Sequence, residues 1–131
     1  MSQENVDLVR RGIASAESFW ALLDEHVVFD TRNYPGLDIF DTPVVVGRKA
    51  VIDYTRPYWG TWDDYHLDAE ELIDAGSSVV GLVRERGRGK GGGVPFDRRR
   101  AQVWTFSRGR IIRWEHFSDK ADALEAAGLR E

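Results

Sequence analysis

Apolar positions along this chain repeat with two different periods, and the switches between them mark its elements. Val6, Val9, Ile13, Ala16, Trp20 and Leu23 recur at three- and four-residue steps, which makes one apolar stripe on a helix. Ser2 is placed to cap that helix, with Glu4 and Asp7 in its opening turns where negative charge suits the dipole. Ser15 and Ser18 interrupt the stretch and predict two short helices in its place. From His26 to Asn33 the period becomes two, with Val27, Phe29 and Thr31 on one strand face. Tyr34–Val46 holds two prolines and Gly36 and reads as a loop. It also holds Leu37, Ile39, Phe40 and Val44–Val46, which implies that it folds over something, as a lid or a short extra strand. Arg48–Trp62 reads as a helix kinked at Pro57.

Four strand candidates follow. Tyr65–Asp74 alternates, and Asp74–Ser77 is a turn. Val79–Arg88 continues, with Arg84 expected on the face of Val80 and Leu82. After the glycine-rich hairpin Gly89–Gly93, Val94–Ser107 puts Arg100, Gln102, Trp104 and Phe106 on one face. Ile111–Ser118 puts Ile112, Trp114, His116 and Ser118 on one face. Asp119 caps a last helix, Lys120–Ala127, which Gly128 ends. Helices gathered on an antiparallel sheet make an α+β domain, and a strongly bent sheet over helices leaves a hollow for a small ligand.

At 131 residues the chain is expected to be one domain over residues 1–131. It has no cysteine, so thiolate catalysis and thiolate metal sites are excluded. No apolar run approaches a membrane span, and Met1–Arg10 does not read as a signal peptide; a cytoplasmic location is the expectation. The net charge is −4, yet Arg84–Arg113 holds ten basic residues against two acidic ones. Opposite charges across strands account for this: outward arginines such as Arg99 face Asp63, Asp64, Asp68, Glu70, Glu71 and Asp74, so no nucleic-acid partner is expected. The segment Gly87–Gly93 lacks the Ser/Thr and the helix of a phosphate loop. His26, His66 and His116 lack metal-ligand spacing, so no metal and no cofactor are expected.

Several phrases resemble the SnoaL-like (polyketide cyclase-like) branch of the nuclear transport factor 2-like superfamily: NVDLVRR at Asn5–Arg11, Gly47–Ala50, WDDY at Trp62–Tyr65, ELIDAG at Glu71–Gly76, VRERGRG at Val83–Gly89, AQVWTF at Ala101–Phe106 and ADALEAAGL at Ala121–Leu129. The resemblance implies a cone-shaped, strongly bent antiparallel sheet wrapped over N-terminal helices. It implies a cavity lined by Phe29, Thr31, Leu82, Arg84, Gln102, Trp104, Trp114 and His116. The chain is shorter than such relatives around Ser15–Phe19, which should alter one wall. The steroid-isomerase pattern is not matched, because Thr31, Gly12 and Gln102 stand where its acids and tyrosine would be. The epoxide-hydrolase pattern keeps Arg84 but has Arg86 and His116 in place of its aspartates, and His116 with Tyr54 only partly echoes the dehydratases.

The candidate chemistry is therefore His116 as proton carrier, with Arg84 and Gln102 stabilising oxygen charge. Phe29, Tyr54, Tyr58, Trp62, Trp104 and Trp114 supply an aromatic wall for a small apolar carbonyl- or hydroxyl-bearing compound. The expectation is an isomerase, cyclase, dehydratase or hydrolase type, or a binding domain without catalysis. The outer strand face with Arg99, Ala101, Val103 and Thr105 is expected to pair with a second copy as a homodimer.

Overall fold

A computed structural model describes residues 2–33 and 42–129. The elements run α1 (Ser2–Gly12), α2 (Ala16–Trp20), β1 (Leu23–Asn33), β2 (Val44–Val46), α3 (Arg48–Gly60), β3 (Trp62–Ala75), β4 (Ser78–Gly89), β5 (Pro95–Ser107), β6 (Arg110–Phe117) and α4 (Lys120–Ala126). Ser15 divides α1 from α2 because its hydroxyl accepts from the Ser18 backbone N–H, while the Ser18 hydroxyl accepts from the Ser15 N–H. That reciprocal pair satisfies donors a helix start leaves open. Residues 44–46 form the short extra strand; residues 34–41 of the expected lid, including Leu37, Ile39 and Phe40, lie outside the described residues.

The strands form one sheet in the order β2-β1-β6-β5-β4-β3. The β1–β6 pairing is parallel and the others are antiparallel. The sheet is curved and unclosed, with β2 and β3 at its edges. Its inner face carries α1–α3. Val6, Val9, Phe19, Trp20 and Val51 meet Val27, Phe29, Val79, Val83, Trp104 and Trp114 there. The outer face carries α4, whose Ala123 and Leu124 pack on Val80, Ala101, Val103 and Phe117. Asp119 starts that helix by accepting from the Asp122 N–H.

This second core corrects two expectations. In β4 the inner residues are Val79, Gly81, Val83 and Glu85, so Leu82 and Arg84 face outward. The Val79–Val83 stretch is apolar on both faces because both are covered, so alternation alone cannot orient it. In β5, Ala101 and Val103 are each 1% exposed under α4, and are not presented to a second copy. The outer face beyond α4 is a ladder of ion pairs: Arg84–Asp97, Arg86–Asp68 and Arg99–Glu70.

Two of the bulges reset the alternation at the core. Thr105 pairs with Arg113 while Phe106 pairs with Ile111. The extra residue, Ile112, is turned to solvent, and both Ile111 and Trp114 reach the core; the expected Ile112–Trp114 face is therefore corrected. In β3, Ala69 pairs with Val83 and Glu71 with Leu82, so Leu67 and Leu72 both join the inner core. Gly81 is required by a close approach, since a Cβ there would lie 2.4 Å from the Trp104 ring.

Candidate functional site

The inner face and the helices do not close completely. A cavity of about 390 Å³ remains between the α1–α2 junction, the end of α3 and strands β3, β5 and β6. Ile13, Ala14, Ser15, Ala16 and Phe19 form the helical wall, so the capping of α2 by Ser15 shapes the site directly. Trp59, Leu67, Trp104 and Trp114 form the apolar remainder. Trp59 stacks on Trp114 at 15° with centroids 6.3 Å apart, and Phe19 lies 4.7 Å from Trp114 on another side. The exposed His66 and Asp68 of edge strand β3 stand at its rim.

The polar lining comes from alternate residues of β5 and β3. Gln102 projects inward and its Oε1 accepts from the Trp114 indole N–H at 2.6 Å. That bond fixes the amide and leaves its NH₂ as the end available to a ligand. Two residues earlier on the same face, Arg100 reaches the cavity with a side chain 5% exposed and pairs with Glu85 at 3.1 Å. Glu85 is fully buried and gathers further donors: the hydroxyls of Tyr58 (2.8 Å) and Tyr65, and Arg98 Nε (3.2 Å). The Arg98 guanidinium also donates to the Tyr58 hydroxyl.

Burial pushes the Glu85 carboxyl up, but Arg100, the two tyrosine hydroxyls and Arg98 outweigh it and hold the group below the ordinary carboxylate value. Glu85 is thus ionised at neutral pH. Burial, reinforced by the neighbouring carboxylate against the opposing arginines, pushes Tyr58 up to about 12 and raises Tyr65 as well. Both tyrosines stay protonated and act as donors.

His116 pairs across the sheet with Gln102 and is 2% exposed, but it lies behind the cavity wall rather than in it. Its ring meets Phe29 edge-on at 5.2 Å and Trp114 at 5.2 Å. Neither ring nitrogen has a hydrogen-bond partner among the described residues. Burial, and next the positive charge of Arg100, hold its pKa well below the usual 6.5, so the imidazole is neutral.

Of the residues singled out from the sequence, Gln102, Trp104 and Trp114 line the cavity. Phe29 packs beneath Trp114 and beside His116. Thr31 is buried against the chain before β2, its hydroxyl donating to the Pro43 carbonyl at 3.3 Å. Tyr54 accepts from the Thr42 N–H, and Trp62 packs on Phe96 with centroids 4.3 Å apart. Tyr58 belongs to the Glu85 cluster. Arg84, with Leu82, is on the other side of the sheet, held by Asp97 through two bonds. The expected meeting of His116, Arg84 and Gln102 in one hollow is therefore not what the chain builds; Arg100 is the arginine that reaches the cavity. Its signal was present, since Arg100 keeps the period-two register of Gln102 and Trp104. Glu85 is hidden in the sequence because β4 is apolar on both faces, and Tyr65 because alternation along the edge strand β3 does not say which face is inner.

Among the described residues no group of three His, Cys, Asp or Glu side chains could hold a metal ion, and no helix is long and apolar enough to cross a membrane.

Among solved structures, an NTF2-like protein of unknown function from Burkholderia pseudomallei shares the fold at a TM-score of 0.74 and 21% identity, covering 93% of this chain and 95% of that one. A hypothetical protein with a ketosteroid isomerase-like fold from Catenulispora acidiphila, in complex with trimethylamine, gives 0.69 at 14% identity, with 98% and 95% covered. TerC co-crystallised with polyporic acid gives 0.72 at 15% identity, with 95% and 98% covered. No protein of curated function matches the chain. The model of the SnoaL-like domain matches residues 7–114, and with the α+β architecture described above this chain belongs to the SnoaL-like domain family.

Proposed function

We propose that the protein binds a small, mostly apolar compound in the aromatic cavity, with an oxygen of the ligand directed at Gln102 and Arg100. The observation that carries this reading is that both side chains project from one face of β5 into a hollow whose apolar walls include Phe19, Trp59, Leu67, Trp104 and Trp114. Apolar walls with a few convergent polar groups are what small-molecule sites consist of. A volume of about 390 Å³ suits a ligand of two or three fused rings. The relative co-crystallised with polyporic acid is consistent with this reading.

The test uses 2-naphthol as a planar neutral probe and tryptophan emission as the readout, since three of the five tryptophans line the cavity. Saturable quenching by the wild type is expected, weakened at least tenfold by Ala16→Phe, which fills the helical wall. Absence of saturable binding, or binding indifferent to Ala16→Phe, would overturn the reading.

One observation favours a second reading, proton transfer. His116 is a neutral imidazole with both nitrogens unengaged among the described residues, directly across from Gln102. A neutral imidazole is a base, and because this one stands behind Trp114, taking a proton from a ligand would require that ring to shift. 5-Nitrobenzisoxazole, a planar probe that opens on loss of one proton, should then be turned over with saturation by the wild type and not by His116→Gln. A rate no greater than that of free imidazole at equal concentration would refute catalysis and leave binding alone.

A further inference from the structure

The direction of one amide bears on what the cavity can hold. Gln102 projects from β5 into the hollow, and its carboxamide meets the indole N–H of Trp114, on the neighbouring strand β6, at 2.6 Å. An indole nitrogen only donates, so the carboxamide atom that faces it is the oxygen, Oε1. The NH₂ is then the end turned away from Trp114. His116, directly across from Gln102, does not take that NH₂, since neither of its ring nitrogens has a partner among the described residues. Trp114 is itself held in place. Phe19 and Phe29 each lie 4.7 Å from its ring and Trp59 stacks on it. Its N–H cannot swing away without repacking three aromatic neighbours, so the direction of the Gln102 amide is locked.

The rest of the lining has the same bias. The indoles of Trp59 and Trp104 carry donors only, and so does the guanidinium of Arg100, whatever its partners. The Trp104 N–H is buried without an acceptor among the described residues. The wall hydroxyls are engaged. That of Ser15 gives its proton to the Ser18 hydroxyl and accepts from the Ser18 N–H, and that of Tyr65 gives its proton to Glu85. The acceptors of His66 and Asp68 belong to exposed side chains at the rim, where Asp68 pairs with Arg86 at 2.7 Å. A ligand carbonyl entering this hollow exchanges water for a protein donor. A ligand N–H gives up water and meets further N–H groups, and a donor left buried without an acceptor is the costlier outcome.

We propose, resting on the ligand-binding reading above, that Trp114 sets the hydrogen-bond polarity of the cavity: by holding Gln102 Oε1 it turns the Gln102 NH₂ to the ligand, so that the site takes a cyclic apolar compound whose polar group is an acceptor, such as a ketone or quinone carbonyl, over one whose polar group is a donor. Gln102 is the residue that touches the carbonyl oxygen. Trp114 is a positioning residue, acting through Gln102 and also supplying ring surface to the ligand.

The experiment compares 1-indanone, indole and indane by calorimetry at pH 7.5. The three share one fused bicycle and carry an acceptor, a donor and neither. The wild type should bind 1-indanone at least tenfold tighter than indole, a difference of about 1.4 kcal/mol. Gln102→Leu should bring that ratio below threefold by removing the donor. Trp114→Phe should do the same by freeing the amide to turn, while changing indane affinity by less than the ratio changes. If these variants do not fold, the side-chain NH₂ signals of the ¹⁵N-labelled wild type decide. The chain has two glutamines, Gln3 and Gln102, and two asparagines, Asn5 and Asn33. Saturating 1-indanone should shift the Gln102 pair and leave the other three still; a still Gln102 pair would overturn the assignment. Equal binding of 1-indanone and indole, or tighter binding of indole, would overturn the acceptor preference while leaving ligand binding intact. A ratio that survives in Gln102→Leu would overturn the role of Gln102, and one that survives in Trp114→Phe would overturn the positioning role of Trp114. Binding of none of the three probes would overturn the ligand-binding reading itself, and this inference with it.

Discussion

Replacing His116 with leucine should make the protein more stable, not less. The imidazole sits 2% exposed among Phe29, Trp114 and Gln102 with neither nitrogen bonded to a described residue. An unsatisfied polar group in a core costs about 1–3 kcal/mol, whereas an apolar side chain of similar volume removes that term. The substitution also loses edge contacts with Phe29 and Trp114, each worth about 0.5–1.5 kcal/mol at most and partly replaced by leucine packing. The balance at pH 7.5 is a gain of about 1 kcal/mol, or roughly 3–5 °C in Tm for a domain of this size. The pH dependence gives a sharper signature. The folded His116 pKa lies well below 6.5, so as pH falls below 6.5 the unfolded chain takes up a proton that the folded chain refuses. Stability is then lost on acidification with a slope approaching about 1.4 kcal/mol per pH unit. His116→Leu lacks that proton uptake, so its advantage over the wild type should widen between pH 7 and pH 5, read by urea denaturation at each pH. Acid-sensitive groups common to both proteins cancel in the difference. A variant less stable than the wild type at pH 7.5, with a gap that stays constant on acidification, would refute the reasoning.

Other substitutions separate the parts of the structure. Glu85→Gln leaves Arg98 and Arg100 facing each other without their carboxylate and should cost about 3–5 kcal/mol by denaturant titration; a loss under 1 kcal/mol would show the cluster to be incidental. Gly81→Ala drives a methyl into the Trp104 ring and should destabilise by about 1–3 kcal/mol and weaken 2-naphthol binding together, whereas unchanged binding would mean that Trp104 does not shape the cavity. Leu124→Ala should cost about 2–4 kcal/mol, because α4 closes the outer core, and an effect near zero in thermal melts would contradict that packing. Arg84→Ala should leave probe affinity unchanged, since Arg84 is paired with Asp97 on the far side of the sheet; a tenfold loss would restore it to the site.

The order of helices and strands was legible in the sequence because each period change is long and each turn carries its own signal, as at Asp74–Ser77 and Gly128. The division at Ser15 was legible too, since serine competes for backbone groups and so favours caps over helix interiors. The orientation of β4 was not. Alternation reports a face only where one side is wet, and α4 dries the second side over Val80, Ala101 and Val103. The parallel β1–β6 pairing and the bulges at Glu70 and Ile112 are likewise set by neighbours distant in the chain. The site was legible in part for the same reason. Gln102 and Trp104 follow from the alternation of β5, Trp114 follows from that of β6 beyond its bulge, and Arg84 reads as inward in place of Glu85 because β4 is apolar on both faces. Alternation in β6 turns His116 inward, and its depth behind Trp114 depends on three-dimensional packing that no spacing encodes.

The most direct measurement of the central claim is the set of indole N–H resonances in a ¹⁵N-labelled protein titrated with 2-naphthoate. Five tryptophans give five signals, and three of them, Trp59, Trp104 and Trp114, line the cavity. The account predicts saturable shifts in those three, largest for Trp104 and for Trp114, whose N–H is bonded to Gln102, with Trp20 and Trp62 nearly still. Shifts confined to Trp20 or Trp62, or no shift at saturating probe, would contradict it.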